Sequence, residues 1–280
     1  MKRFFALFAA LTLFCTGISA QTAACRTETG IAYRDAAGDG YVDSLCRLDI
    51  CWPADRKGFP TVVWFHGGGL TGGRREIPKA LCGKGFAVVG VDYRLAPRVK
   101  VSDCVADAAA AAAWVVKNIA SYGGDPRLIF IAGHSAGGYL TSMIGLDKRW
   151  MAPYGIDPDT AFAALIPYSG QVVTHFARRR EMGIPDTQVV VDDMAPLNHV
   201  RPDCPPVLIL SGDRELEMLG RYEENAYFWR MMRVAGHPDV QICEFDGFDH
   251  GNMPQAGHYV AVRYIRDRVK NWKGNCVPER

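Results

Sequence analysis

The chain has 280 residues, 49% of them hydrophobic and 22% charged, and a formal net charge of +2. That is enough apolar material for one substantial core, and too little net charge to draw in nucleic acid or an anionic membrane through a global field. The first twenty residues, MKRFFALFAALTLFCTGISA, hold Lys2 and Arg3, an apolar run from Phe4 to Phe14, and small or polar residues up to Ala20. This is the form of a secretory signal peptide, so residues 1–20 are read as a leader and the mature protein as exported, periplasmic or secreted. The apolar run is too short to span a bilayer well, and no stable membrane span is expected once the leader is cut. Its loss removes two positive charges and no negative ones, which leaves the mature chain neutral.

Beyond the leader, short apolar runs alternate with longer helical stretches. Residues 61–65, 86–91, 128–132, 162–166, 207–210 and 240–245 read as strands, most of them too continuously apolar to be half exposed. Buried strands separated by helices argue a mostly parallel sheet covered on both faces. Residues 101–121 form the clearest helix, alanine-rich from Ala108 to Ala113 and stopped by Gly123-Gly124-Asp125-Pro126. Residues 223–234 and 259–272 read as further helices. No repeat, linker or break in composition divides residues 21–280, which are taken as a single α/β domain. The stretch 171–206 lacks periodicity and is too long for an ordinary connection, so it reads as a lid-like insert. Within it Arg178-Arg179-Arg180 is the one basic run; it is read as a solvated face, with contact to an acidic substrate as the alternative.

Ligands of open parallel sheets collect at the carboxyl ends of the strands, and four chemically loaded stretches fall there. They are His66-Gly67-Gly68-Gly69, Gly133-His134-Ser135-Ala136-Gly137, Ser211-Gly212-Asp213-Arg214-Glu215, and Gly247-Phe248-Asp249-His250-Gly251. The second has the G-x-S-x-G pattern of a nucleophile elbow, where a strand bends so tightly into a helix that the central side chain stands clear. A nucleophile, an acid and a histidine thus follow one another in the order Ser, Asp/Glu, His. A phosphate-binding loop at 67–73 is excluded, because Arg74 and Arg75 stand where Lys and Ser/Thr are required. There is no C-x-x-C pair and no metal-ligand spacing, so neither metal nor cofactor is expected.

These motifs, with Asp92-Tyr93-Arg94-Leu95-Ala96-Pro97 and Gly138, resemble the α/β-hydrolases. More narrowly they are similar to the secreted carboxylesterases of the hormone-sensitive-lipase-like and acetylxylan/feruloyl-esterase-like group, in family order over about residues 45–272. The resemblance implies an α/β-hydrolase fold and a serine carboxylic-ester hydrolase working through an acyl-enzyme. Its substrate would be a small ester or an esterified carbohydrate, such as acetyl or feruloyl groups on a polysaccharide, with no nucleic-acid partner. Ser135 would be the nucleophile and His250 its base. For the acid, family spacing favours Glu215, with Asp213 the second choice and Glu217 a distant third; Asp249 is set aside as too close to His250 in sequence. Backbone N–H groups of Gly68, Gly69 and Ala136 would form the oxyanion hole. The rival readings are an amidase or peptidase of prolyl-oligopeptidase type, and a non-catalytic binding protein on the same scaffold. Eight cysteines remain after the leader, and pairings Cys82–Cys104 and Cys204–Cys243 are the hypotheses that follow from their places in such a fold.

Overall fold

The computed structural model describes residues 25–218 and 220–275, so the leader and Cys276 lie outside the described residues. Eight strands form one sheet in the order β1-β2-β4-β3-β5-β6-β7-β8. They are β1 (Cys25–Ala32), β2 (Arg47–Pro53), β3 (Phe59–Phe65), β4 (Ala87–Val91), β5 (Gly124–His134), β6 (Ala164–Tyr168), β7 (Val207–Gly212) and β8 (Val240–Phe245). β1 and β2 run antiparallel to their neighbours, and β3 through β8 are parallel. The fold class expected from the sequence is the one observed. The six expected strands recur with shifts of a few residues at their ends, and β1 and β2 are additional.

The strands read as continuously apolar because each face of the sheet is buried. In β3, Val63 and Phe65 pack into one core while Val62 and Trp64 pack into the other. The first core is covered by α2 (Val101–Asn118), α3 (Ala136–Leu146) and α6 (Arg221–Val234), the second chiefly by α7 (Met253–Asn275). Ala108 to Ala113 of α2 are all buried, and their small side chains let the helix lie close to the sheet. Three short helices complete the set: α1 (Gly40–Leu45), α4 (Pro158–Ala161) and α5 (Phe176–Glu181). No helix among the described residues is long and apolar enough to cross a membrane.

The two cysteine pairings are not formed. Cys104 and Cys204 belong to the first core, whereas Cys82 follows Leu81 and Cys243 packs against the second, so each proposed pair straddles the sheet. Cys82 lies instead beside Cys51 of β2.

The segment Asp92-Tyr93-Arg94 after β4 is explained by what it holds. Arg94 grips Asp107 of α2 with two hydrogen bonds, 2.8 Å from Nε and 2.9 Å from Nη2, and Arg34 also pairs with this fully buried carboxylate. A buried carboxylate needs such partners, because desolvation is costly for an unpaired charge. Tyr93 donates its hydroxyl to the His66 carbonyl at 2.9 Å and stacks on the imidazole at 4.4 Å. Asp92 accepts from the Arg75 side chain at 2.6 Å and from its backbone N–H. The Leu70 carbonyl accepts from Ala96 at 2.8 Å. The motif therefore braces the loop 66–75 from behind.

Candidate active site

Parallel register brings three strand ends to one edge: Phe65 of β3 pairs with Gly133 of β5, and His134 of β5 with Tyr168 of β6. Gly212 of β7 pairs likewise with Phe245 of β8. Ser135 sits between β5 and α3 with φ 56° and ψ −114°, a conformation that costs a non-glycine residue roughly 1–3 kcal/mol. The strain is held by surrounding backbone, including a 2.8 Å hydrogen bond from Ser135 N–H to the Tyr168 carbonyl. The flanking glycines are required sterically. A β-carbon on Gly133 would come within 2.6 Å of the Gly137 carbonyl carbon, and one on Gly137 would collide with the Phe65 carbonyl. The sharp bend is what the G-x-S-x-G spacing predicts.

His250 lies in the turn between β8 and α7 and meets Ser135, its Nε2 standing 2.9 Å from Oγ. Its Nδ1 is 2.5 Å from Oε1 of Glu217 and 2.9 Å from Oγ of Ser169. Ser169, at φ 47° directly after β6, is buried and donates its hydroxyl to Glu217 Oε2 at 2.7 Å. It thereby stands as acceptor toward the histidine N–H. The backbone N–H groups of Gly212 and Met218 donate to the same carboxylate at 3.1 and 3.0 Å. Burial works to raise the pKa of Glu217, but the bond from His250 and these further donors outweigh it and hold the carboxyl at about 2. Glu217 is thus an anion near neutral pH, placed to fix the tautomer and orientation of the ring.

This corrects the expected acid. Glu215 is exposed; its backbone N–H bonds Asp213 Oδ1 at 2.8 Å, and its carboxylate makes no hydrogen bond among the described residues. Asp213, the second choice, spends its other oxygen on the Gly247 N–H at 2.8 Å and so fastens the end of β7 to the histidine turn. The physical reason is a single helical turn after β7. Glu217 N–H bonds the Asp213 carbonyl at 2.8 Å, which carries the chain round once and returns residue 217, not 215, beneath the strand edge. Family spacing counted along an extended chain stops two residues short. Nothing in the sequence neighbourhood of Ser169 marks it for this role.

The N–H groups expected to meet an oxyanion lie in the loop after β3 and at the start of α3. The N–H groups of Gly68, Gly69 and Ala136 bond to no acceptor among the described residues. Ala136 N–H opens α3, whose dipole adds positive potential at that end. A β-carbon on Gly67 would lie 3.3 Å from Cβ of Ser135, which shows how closely this loop approaches the nucleophile. Gly68 has φ 113°, and a β-carbon there would strike the Gly72 carbonyl, so the loop needs glycine. His134 supports the histidine turn, its Nε2 contacting the His250 carbonyl at 2.8 Å. Desolvation, with repulsion from His250, lowers its pKa to about 4, so it is neutral near pH 7.

The insert 171–206 forms one wall beside this centre. Phe176 of α5 packs against the oxyanion loop, 3.2 Å from where a Gly69 β-carbon would be. The basic run is not a uniform solvated face. Arg178 pairs with Glu181 at 2.9 Å and Arg180 with Asp186 at 2.6 Å, while Arg179 turns inward and is 4% exposed. The reason is helical: in so short a helix three consecutive residues point in different directions, and the middle one faces the protein. A cavity of about 610 Å³ lies between this wall and the start of α6. A larger one of about 740 Å³, near Trp52 and Tyr122, lies at the β1–β2 side of the sheet, away from Ser135. No group of three or more potential metal ligands occurs among the described residues.

The sheet order, the strained serine at its elbow and the Ser–His–Glu relay define an α/β-hydrolase. The BD-FAE family profile matches residues 48–163. The probable carboxylic ester hydrolase LipM of Mycobacterium tuberculosis is 32% identical over 74% of this chain and 55% of its own length. Esterase LipC of the same organism is 27% identical over 75% of this chain and 58% of its own. The chain thus spans a little over half the length of these curated relatives. Among solved structures, Thermogutta terrifontis esterase 2 superposes with a TM-score of 0.68 at 26% identity, covering 86% of this chain and 94% of that one. By fold the chain is an α/β-hydrolase, and the relatives and structures it is similar to are esterases.

Proposed function

We propose that the protein hydrolyses carboxylic esters through an acyl-enzyme on Ser135. The observation that carries this reading is the unbroken relay from Ser135 Oγ through His250 to Glu217, at 2.9 and 2.5 Å. An alcohol is a weak nucleophile at neutral pH, and His250 Nε2 is within reach to take the Oγ proton as Oγ attacks the ester carbonyl. The carbonyl oxygen becomes an oxyanion, met by the N–H groups of Gly68, Gly69 and Ala136, each worth about 10²–10³ in rate in comparable sites. His250 then returns the proton to the departing alkoxide, leaving the acyl group on Ser135. Water repeats the sequence, losing its proton to His250 as it attacks, and releases the acid and the free serine. Glu217 stabilises the imidazolium in each half and stays ionised.

A small acyl group suits the site best. Thermogutta terrifontis esterase 2, 25–26% identical, has been solved with propionate and with butyrate bound, which supports an acyl pocket of that size here. Acetyl or feruloyl groups on a polysaccharide are the substrate reading that the sequence resemblance supports, and export through the leader of residues 1–20 would place the enzyme with such material. A graded series of p-nitrophenyl esters tests the reading. Release from the acetate and butyrate should exceed release from the octanoate by at least about tenfold in kcat/KM, since each methylene beyond a closed pocket is refused. Hydrolysis favouring the long chain would overturn the small-acyl assignment, and no hydrolysis of any ester would overturn the activity.

A further inference from the structure

The cavity of about 610 Å³ at the start of α6 contains two arginines whose guanidinium groups are only partly hydrogen-bonded. Arg179 and Arg221 line it, and each is only 4% exposed. Arg221 gives Nη1 to the Ser169 carbonyl at 2.6 Å. Arg179 gives Nη1 to the carbonyls of Asp186 and Gln188 at 2.8 and 2.6 Å. In both, Nε is buried without a partner, and Nη2 makes no hydrogen bond among the described residues. Nε and Nη2 together form the side-on edge of a guanidinium, the edge that takes both oxygens of one carboxylate. No acid nearby hydrogen-bonds that edge, although Glu224 stands close enough to both arginines, and Glu217 to Arg221, to offset their charge; Asp186 holds Arg180 at 2.6 Å, Glu224 accepts the Val172 N–H at 3.1 Å, and Glu223 is exposed. A buried Nε without a partner on each of two arginines lining one pocket is an arrangement that a folded protein rarely leaves unsatisfied.

The pocket borders the reacting centre through Phe176, with Ser135 and His250 outside its lining. Met218, on its wall, directly follows Glu217, and Arg221 touches the carbonyl of the serine that holds that acid. Phe176 forms the boundary between this pocket and the oxyanion loop. The remaining walls, including Tyr227 and Val189, are apolar surfaces against which the body of a ligand would lie.

We infer that this pocket receives a carboxylate carried by the substrate, so that the preferred esters are acidic ones. The kinetic form of this inference rests on the esterase reading above; the binding form does not. The carboxylate would belong either to the acyl half, as in a half-ester of a dicarboxylic acid, or to the alcohol half, as in an ester of a hydroxy acid or a uronic acid.

Paired substrates separate these sources. For the acyl half, monoethyl succinate is compared with ethyl succinamate; for the alcohol half, 4-acetoxybenzoate is compared with 4-acetoxybenzamide. In the wild type one acidic ester should exceed its amide by about 10- to 100-fold in kcat/KM, the scale of a charge-assisted pair. That ratio should fall toward one in Arg179→Gln. In Arg179→Lys, which keeps the charge and loses the side-on edge, it should fall part of the way. Because each ratio is taken within one variant, a general loss of activity does not imitate the result. Equal or faster turnover of both amides by the wild type, or a ratio unchanged in folded Arg179→Gln or Arg179→Lys, would overturn the inference. If no ester is hydrolysed, the esterase reading fails, and calorimetric binding of succinate and 4-hydroxybenzoate decides the pocket. Binding of either acid, absent for its amide and weakened in either variant, supports it; no binding of either acid overturns it.

Discussion

Ser135→Ala should lower kcat for p-nitrophenyl butyrate on the order of 10⁶-fold, with the protein still folded. The size of the effect follows from what the alanine cannot do. It removes the only atom that the relay activates: Oγ is the group 2.9 Å from His250 Nε2, and without it the imidazole has no proton to take and no acyl group to carry. Any residual rate should come from the preplaced N–H groups of Gly68, Gly69 and Ala136 acting on bound ester and water, as happens when nucleophiles of this type are deleted. The variant should fold, because the position's demands are on its backbone. The φ of 56° is imposed by the Ser135 N–H bond to Tyr168 and by the close passage of Gly133 and Gly137, none of which uses the hydroxyl. Steady-state rates with circular dichroism as the folding control check this. A loss below about tenfold would place the chemistry elsewhere.

Glu217→Gln should cost about 10³–10⁴ in kcat, whereas Glu215→Gln should stay within about twofold of wild type. The carboxylate accepts from four donors: His250, Ser169, Gly212 and Met218. An amide in its place brings an NH₂ group that cannot accept. Turned toward His250, that group would select the tautomer with its proton on Nε2, where the base must be empty. Even with the amide oxygen toward the ring, the imidazolium formed during attack loses its counter-charge. Glu215 touches nothing that the reaction uses. The two variants differ by two residues in sequence and should differ by about three decades in rate.

That contrast also marks how far the sequence is legible. The elbow is visible in Gly133-His134-Ser135-Ala136-Gly137 because steric necessity at Gly133 and Gly137 writes itself as residue type. His250 is visible because it follows the last strand. The acid is hidden because its position depends on a turn: the Asp213 carbonyl accepts from Glu217 N–H, and that bond decides which of three neighbouring carboxylates swings inward. Asp213 drew notice as a carboxylate at a strand end, yet its oxygens are needed to tie Gly247 and Glu215. Among the elements, β1 and β2 escaped for a related reason. β1 is an edge strand, mostly exposed, with Arg26, Glu28 and Thr residues where an apolar run would be sought, and β2 carries Arg47 and Asp49. The basic run read as solvent-facing contains one residue, Arg179, that α5 turns inward, and only the three-dimensional path of residues 186–188 gives it partners.

The central claim is that Ser135 itself becomes acylated. The most direct test is to mix the wild-type protein with p-nitrophenyl butyrate, quench in acid within the first turnovers, and read the mass of the intact chain and of the peptide containing residues 133–137. The account predicts one butyryl group per chain, located on Ser135, appearing with the first equivalent of p-nitrophenol and decaying at the steady-state rate. Continued turnover with no adduct, or an adduct on any other residue, would contradict it.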